Sequence, residues 1–139
     1  MRFPICIAIL LLALPLSAQS ASSADDFSLT VERFGCLGKC PAYKVTIQSD
    51  GTLKFDGRYY VHAKGTRTKN LRPEARQRLA HLLRDRDFFH MESSGLVVDA
   101  PATRIEATPN GLHNSVTGHS GEMELGDEIV KIAGIKRWI

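Results

Sequence analysis

Cys36-Leu37-Gly38-Lys39-Cys40-Pro41-Ala42-Tyr43 is the stretch on which the reading of this chain turns. It places Gly38 between a pair of closely spaced cysteines and Pro41 directly after them. On the N-terminal side, Phe27, Leu29 and Val31 alternate with Ser28, Thr30 and Glu32. On the C-terminal side, Tyr43, Val45 and Ile47 alternate with Lys44 and Thr46. A period of two is the pattern of a strand with one buried face. The cysteines therefore read as a corner that ties one strand to the next, with Tyr43 on the core face beside Val45 and Ile47.

Further along, Ser49-Asp50-Gly51 has the composition of a hairpin turn, because glycine accepts the positive φ that tight hairpins need. Thr52 to Phe55 returns as a strand with Leu53 and Phe55 inward, and Asp56-Gly57 reads as a second turn. Arg58 to Thr68 then reads as a further strand, with a bulge expected at Gly65. Pro73 suits the first turn of a helix, where its missing N–H costs nothing. Ala75, Leu79, Leu82 and Leu83 continue that helix to about Asp87 along one apolar stripe, and Phe88 and Phe89 close the core behind it. Glu92 to Ala100 is loop. Thr103 to Ala107, Pro109-Asn110-Gly111 and Leu112 to Thr117 form a second hairpin. The last helix is expected from about Gly121 to Ala133, with Ser120 as its cap and Leu125, Ile129, Ile132 and Ala133 inward. Glu122 and Glu124 lie at its positive end, Lys131 near its negative end, and Gly134 stands where a C-terminal cap belongs. Trp138 and Ile139 are expected to dock on the sheet. The pattern predicts an α+β fold: a mainly antiparallel sheet of about six strands with two helices, in a single domain over residues 27–139.

The N-terminus is of another kind. Arg2 precedes an apolar run from Ile5 to Leu14, and Pro15 and a series of small residues follow. This is the order of a secretory signal peptide, and the run is shorter than the roughly 20 residues a membrane span requires. Residues 1–18 are read as the signal peptide, with cleavage between 18 and 24 and a flexible mature N-terminus over 19–26. Cys6 leaves with the leader, so Cys36 and Cys40 remain as an even pair in an exported chain, periplasmic or extracellular. The 139 residues hold one domain, and 43% hydrophobic with 24% charged residues describe a globular one.

Gly35 to Ile47, with Asp50-Gly51 and Gly57 after it, resembles an uncharacterised bacterial family known as domain of unknown function 6438, through a C-x-G-x-C-P-x-Y signature carried here by Cys36, Gly38, Cys40, Pro41 and Tyr43. Arg72-Pro73-Glu74-Ala75, Asp87-Phe88-Phe89, Asp99 to Thr103 and Lys136 to Ile139 are similar to its later pattern. Arg72 departs from it, standing where a Ser-like helix cap is expected. The resemblance spans about Phe27 to Ile139 and implies the extent of the domain, with no activity attached.

For chemistry, Cys36 and Cys40 admit three readings. A disulfide would close a short loop and contribute about 2 kcal/mol through chain entropy. A redox-active dithiol would draw on Lys39 to lower a thiol pKa, but the spacing is C-x-x-x-C and strands flank it. A metal site would need two further ligands, and His62, His81, His90, His113 and His119 show no pairing that supplies them. Gly118-His119-Ser120-Gly121 approaches a nucleophile elbow, yet Glu122 occupies the position of its last glycine. The paired acids Asp25-Asp26, Asp85/Asp87 and Asp127-Glu128 read as solvated. No catalytic residue, cofactor or metal set follows from the sequence.

Arg58 to Arg86 is rich in cations, including Arg67, Arg72 and Arg76, and is either a solubilising face or a surface for an envelope protein or another anionic partner. Export, and the lack of an aromatic stacking pattern among these cations, speak against nucleic acid. The net charge of +3 selects no partner. The reading is an exported, non-catalytic binding or structural module. The alternatives are a thiol–disulfide redox protein and a proteinaceous inhibitor of a secreted hydrolase.

Overall fold

The structure, a computed structural model, describes residues 27–109 and 111–139; the leader, its cleavage region, the stretch 19–26 and Asn110 lie outside the described residues. The described residues form one six-stranded antiparallel sheet with the order β4-β3-β2-β1-β5-β6. Its strands are β1 (Ser28–Phe34), β2 (Ala42–Ile47), β3 (Thr52–Tyr59), β4 (Gly65–Asn70), β5 (Ala102–Thr108) and β6 (Asn114–Gly118). Helix α1 (Pro73–Asp85) joins β4 to β5 through a 3-10 turn at Phe88–His90 and a loop, and α2 (Gly121–Ala133) follows β6. A second 3-10 turn, Lys136–Trp138, ends the chain. The fold is α+β, as the alternation predicts.

The two periods meet in a single core. Leu29 and Val31 of β1, Tyr43, Val45 and Ile47 of β2, Leu53 and Phe55 of β3, and Ile105 and Ala107 of β5 are buried together with Leu79 and Leu83 of α1 and Leu125 and Ile129 of α2. The opposite face of the sheet carries Lys44, Lys54, Arg58, Arg104 and Glu106 toward solvent, the usual division of an antiparallel sheet covered on one side. Trp138 docks against Phe55 at 5.5 Å between ring centroids. Gly134 takes φ 65° and ends α2 as expected.

Several boundaries differ from the sequence reading. Asp56-Gly57 is not a turn: β3 runs through it to Tyr59, because Asp56 pairs with Lys44 on one side and Thr66 on the other. The chain reverses over residues 60–64, with Tyr60 at positive φ, and Gly65 begins β4 rather than bulging. The one ladder irregularity lies between Ala42 and Tyr43. Helix α1 stops at Asp85, short of the expected Asp87, which adopts φ 49°. Leu82 and Ile132 are only partly buried. Leu112 is exposed in the hairpin connection rather than in a strand. Ser120 occupies the cap position of α2, but its side chain makes no capping bond. The carboxylate of Glu122 reaches the N–H groups of Ser120 and of Glu122 itself, which leaves the serine hydroxyl without that role.

Candidate functional site

The cysteine corner is the connection between β1 and β2. Cys36 and Cys40 form a disulfide with their Cα atoms 5.6 Å apart, and Gly38 between them takes φ 144°, a conformation open in practice only to glycine. Just inside the corner, Arg33 and Tyr43 face each other across the ladder on the helix side of the sheet. Tyr43 is buried and stacks on Phe55 with centroids 5.6 Å apart. Arg33 is 7% exposed. Its Nη2 donates to Asp127 Oδ1 at 2.5 Å and to the Met123 carbonyl at 3.4 Å, both on α2, while its buried Nε has no hydrogen-bond partner among the described residues.

Gly126 suits this close approach: a Cβ there would lie 3.0 Å from Thr103 Cγ2, so that methyl or the helix would have to shift by a few tenths of an ångström, and 3.5 Å from Val31 Cγ1, an ordinary contact. Burial pushes the Tyr43 hydroxyl above its ordinary pKa of 10.0; Asp127 adds to the rise, and the adjacent Arg33 opposes it. Tyr43 therefore stays a neutral phenol at physiological pH.

A groove of about 980 Å³ opens beside this pair. Arg33, Pro41 and Tyr43 line it from the sheet, His62 from the β3–β4 connection, and Glu124, Asp127, Glu128 and Lys131 from successive turns of α2. Lys136, Arg137 and Ile139 close one end. The Ala63 N–H donates to the Trp138 carbonyl at 2.9 Å and fixes the β3–β4 connection against that end.

The corner's other side faces solvent with aliphatic residues. Leu37 is 82% exposed, Leu96 70% and Val98 88%, with Val97 also exposed beside them. The two loops touch, because the Leu37 N–H donates to the Asp99 carbonyl at 3.3 Å. Phe34 and Ala102 floor a shallow hollow of about 420 Å³ next to Leu96, Val97 and Val98, and the Arg104 guanidinium lies 5.1 Å over the Phe34 ring. The loop is anchored at its start by Glu122, only 1% exposed, which accepts bonds from the Ser94 N–H at 2.6 Å and the Ser94 hydroxyl at 2.7 Å. Burial raises the Glu122 pKa, but these bonds and those from the helix N–H groups outweigh it and hold the carboxyl below its ordinary 4.5. It remains a carboxylate, which is what the anchor needs.

The structure brings together some of the residues singled out in the sequence and disperses others. Cys36, Gly38, Cys40, Pro41 and Tyr43 form one unit. Arg67, Arg72 and Arg76 do not: Arg67 is exposed on β4, Arg72 is exposed just before α1, and Arg76 donates to the Ser49 carbonyl of the β2–β3 turn. Elsewhere in the basic segment, Arg58 pairs with Glu32 at 2.7 Å, Lys69 donates to the Ala133 carbonyl at 2.9 Å, and Arg86 bonds to Glu124 at 3.1 Å and to Glu128.

Asp127 and Glu128 are thus engaged with arginines rather than simply solvated. Sequence reasoning passes over Arg33, although its position two residues after Val31, on the inward parity of β1, is an available signal. It places Glu122 at the start of α2 but does not foresee its burial or its bonds to Ser94.

Among the described residues, no group of three or more His, Cys, Asp or Glu residues is arranged to hold a metal ion. No helix among them is long and apolar enough to cross a membrane.

No curated protein matches the chain. A family model does match, over residues 27–133, from the first strand through the cysteine corner to the end of α2. On that match the chain belongs to the family described as Domain of unknown function (DUF6438).

Proposed function

We propose that the protein is an exported, non-catalytic binding module that presents its stapled corner and the Leu96–Val98 loop to a protein partner in the cell envelope. The observation that carries this reading is an apolar surface held in place. Leu37, Leu96, Val97 and Val98 are exposed on two touching loops, one closed by the Cys36–Cys40 disulfide and the other anchored through Ser94 and Glu122. Contiguous exposed aliphatic side chains mark interaction sites more often than single ones do. Rigid loops also lose less entropy on binding than mobile ones. The hollow floored by Phe34 and Ala102 offers such a partner a seat for one apolar side chain. Export is supported by the disulfide and by the leader-like composition of residues 1–18.

The test is capture from an envelope extract with the parent and with a Leu37→Ser, Leu96→Ser, Val98→Ser variant. The same partner should be retained by the parent and lost by the variant. These side chains are exposed, so the variant's stability should stay within about 0.5 kcal/mol of the parent. Equal retention would defeat the reading. Capture of a secreted hydrolase would sharpen it toward an inhibitor.

Two other readings rest on specific observations. Lys39 inside the disulfide loop is the feature a redox protein would use. A reduction potential near −200 mV or higher would favour redox chemistry, and one below about −300 mV a structural bond. Exposed Arg67 and Arg72 would serve an anionic surface, and retention on anionic liposomes that is lost on changing both to Glu would support that role.

A further inference from the structure

The groove beside Arg33 and Tyr43 is a different surface from the aliphatic corner, and its charges are unevenly matched. Along the α2 wall, Glu124 and Glu128 each bond to Arg86, and Asp127 bonds to Arg33. Lys131, Lys136 and Arg137, which also line the groove, are exposed, and none lies within ion-pair distance of a carboxylate among the described residues. Arg33 lines the same groove, 7% exposed, with Asp127 matching one of its nitrogens and its Nε unpartnered among the described residues.

The left-handed turn at Gly134 brings the last residues back so that Lys136 and Arg137 line the same groove as Lys131. Between the charges the wall is apolar, built from Pro41, Tyr43, Val130 and Ile139. The three carboxylates of the groove thus share two arginines, while its three outer cations have no carboxylate partner among the described residues.

We propose that this groove binds a single molecule of an amphipathic anion, one carboxylate or phosphate head group on an apolar body. The head sits at Lys131, Lys136 and Arg137, and the body runs along Pro41, Tyr43, Val130 and Ile139. Lysine and arginine together suit both head groups, because each offers several N–H donors to an oxyanion. The groove has α2 on one side and the β1–β2 corner on the other. That fits one chain rather than a bilayer surface. Neutral Tyr43 adds no opposing negative charge.

Trp138 is the chain's single tryptophan and lies in the same short turn as Lys136 and Arg137, so its fluorescence reports on the site. The full chain is titrated with laurate and dodecyl phosphate below their micellar concentrations, and with dodecanol and inorganic phosphate alone. The two amphipathic anions should bind saturably at one per chain, and dodecanol and phosphate at least about tenfold more weakly, the equivalent of one lost charge-assisted contact. Added salt should weaken the binding, since screening acts within about 8 Å at physiological ionic strength.

A Lys131→Gln, Lys136→Gln, Arg137→Gln variant changes only exposed side chains and should lose binding while melting as the parent does. A Leu96→Ser, Val98→Ser variant should bind laurate unchanged, which separates this site from the aliphatic corner. Equal binding of dodecanol, equal binding by the glutamine variant, or binding only to phosphatidylglycerol vesicles or to an acidic peptide would overturn the proposal.

Discussion

On α1, Ala75, Leu79 and Leu83 are buried while Glu74, Arg78 and Arg84 face solvent; around the cysteine corner and the loop beside it, Arg33 and Glu122 are buried while Leu37, Leu96 and Val98 face solvent. The helix follows the ordinary rule, by which burial of apolar area drives folding. The corner reverses it. Its buried charges are tolerable because each is bonded: Arg33 to Asp127, and Glu122 to Ser94 and the start of α2. Its exposed aliphatic residues contribute nothing to the core.

That contrast can be broken most severely at the ion pair. Asp127→Ala leaves a buried guanidinium without its carboxylate and should cost about 1.5–3 kcal/mol, the worth of a hydrogen bond to a charged group. Urea unfolding measures it. Adding Arg33→Met should recover much of the loss, because it removes the buried charge that the first change leaves unpaired. If Asp127→Ala is silent, Arg33 is not held as described. Next is the staple. Replacing Cys36 and Cys40 together by Ser should lower stability by about 2 kcal/mol and leave the circular dichroism spectrum unchanged; a protein that melts as before would show that the flanking ladder fixes the corner alone.

The smallest effect is expected at Glu122 and is best read against pH. Its carboxyl titrates below the ordinary 4.5, so its contribution is present at neutral pH and disappears as pH falls through the lowered value. Glu122→Gln should therefore be less stable than the parent by about 1 kcal/mol at neutral pH. The two melting curves should converge in acid. A gap that persists or widens there would remove the carboxylate from the account.

How far the sequence foretold all this depends on the range of the signals. Local ones carried well: the alternation around the cysteines placed β1 and β2, and the apolar spacing up to Ala133 with Gly134 after it placed α2. Asp56-Gly57 misled because a turn-forming dipeptide was overridden by neighbours on both sides, a long-range effect that no short window contains. The same limit hid the site. Arg33 and Asp127 lie on separate elements and meet only once α2 crosses the sheet at Gly126. Glu92 to Ala100 reads simply as a loop, although the unbroken Leu96-Val97-Val98 within it is visible in the sequence.

The two edges of the sheet have a consequence for crowding. Along β6, the Gly95 N–H donates to the Thr117 carbonyl at 3.2 Å and the Ser93 hydroxyl accepts from the Thr117 N–H at 2.9 Å, so the loop after the 3-10 turn already occupies that edge. The β4 edge has no neighbouring strand among the described residues, and its sequence is Thr66-Arg67-Thr68-Lys69. A second copy adding its own β4 there would bring like charges together, which is how natural proteins keep open edges from templating one another. Arg67 and Lys69 on this edge should therefore disfavour strand-by-strand growth at high local concentration.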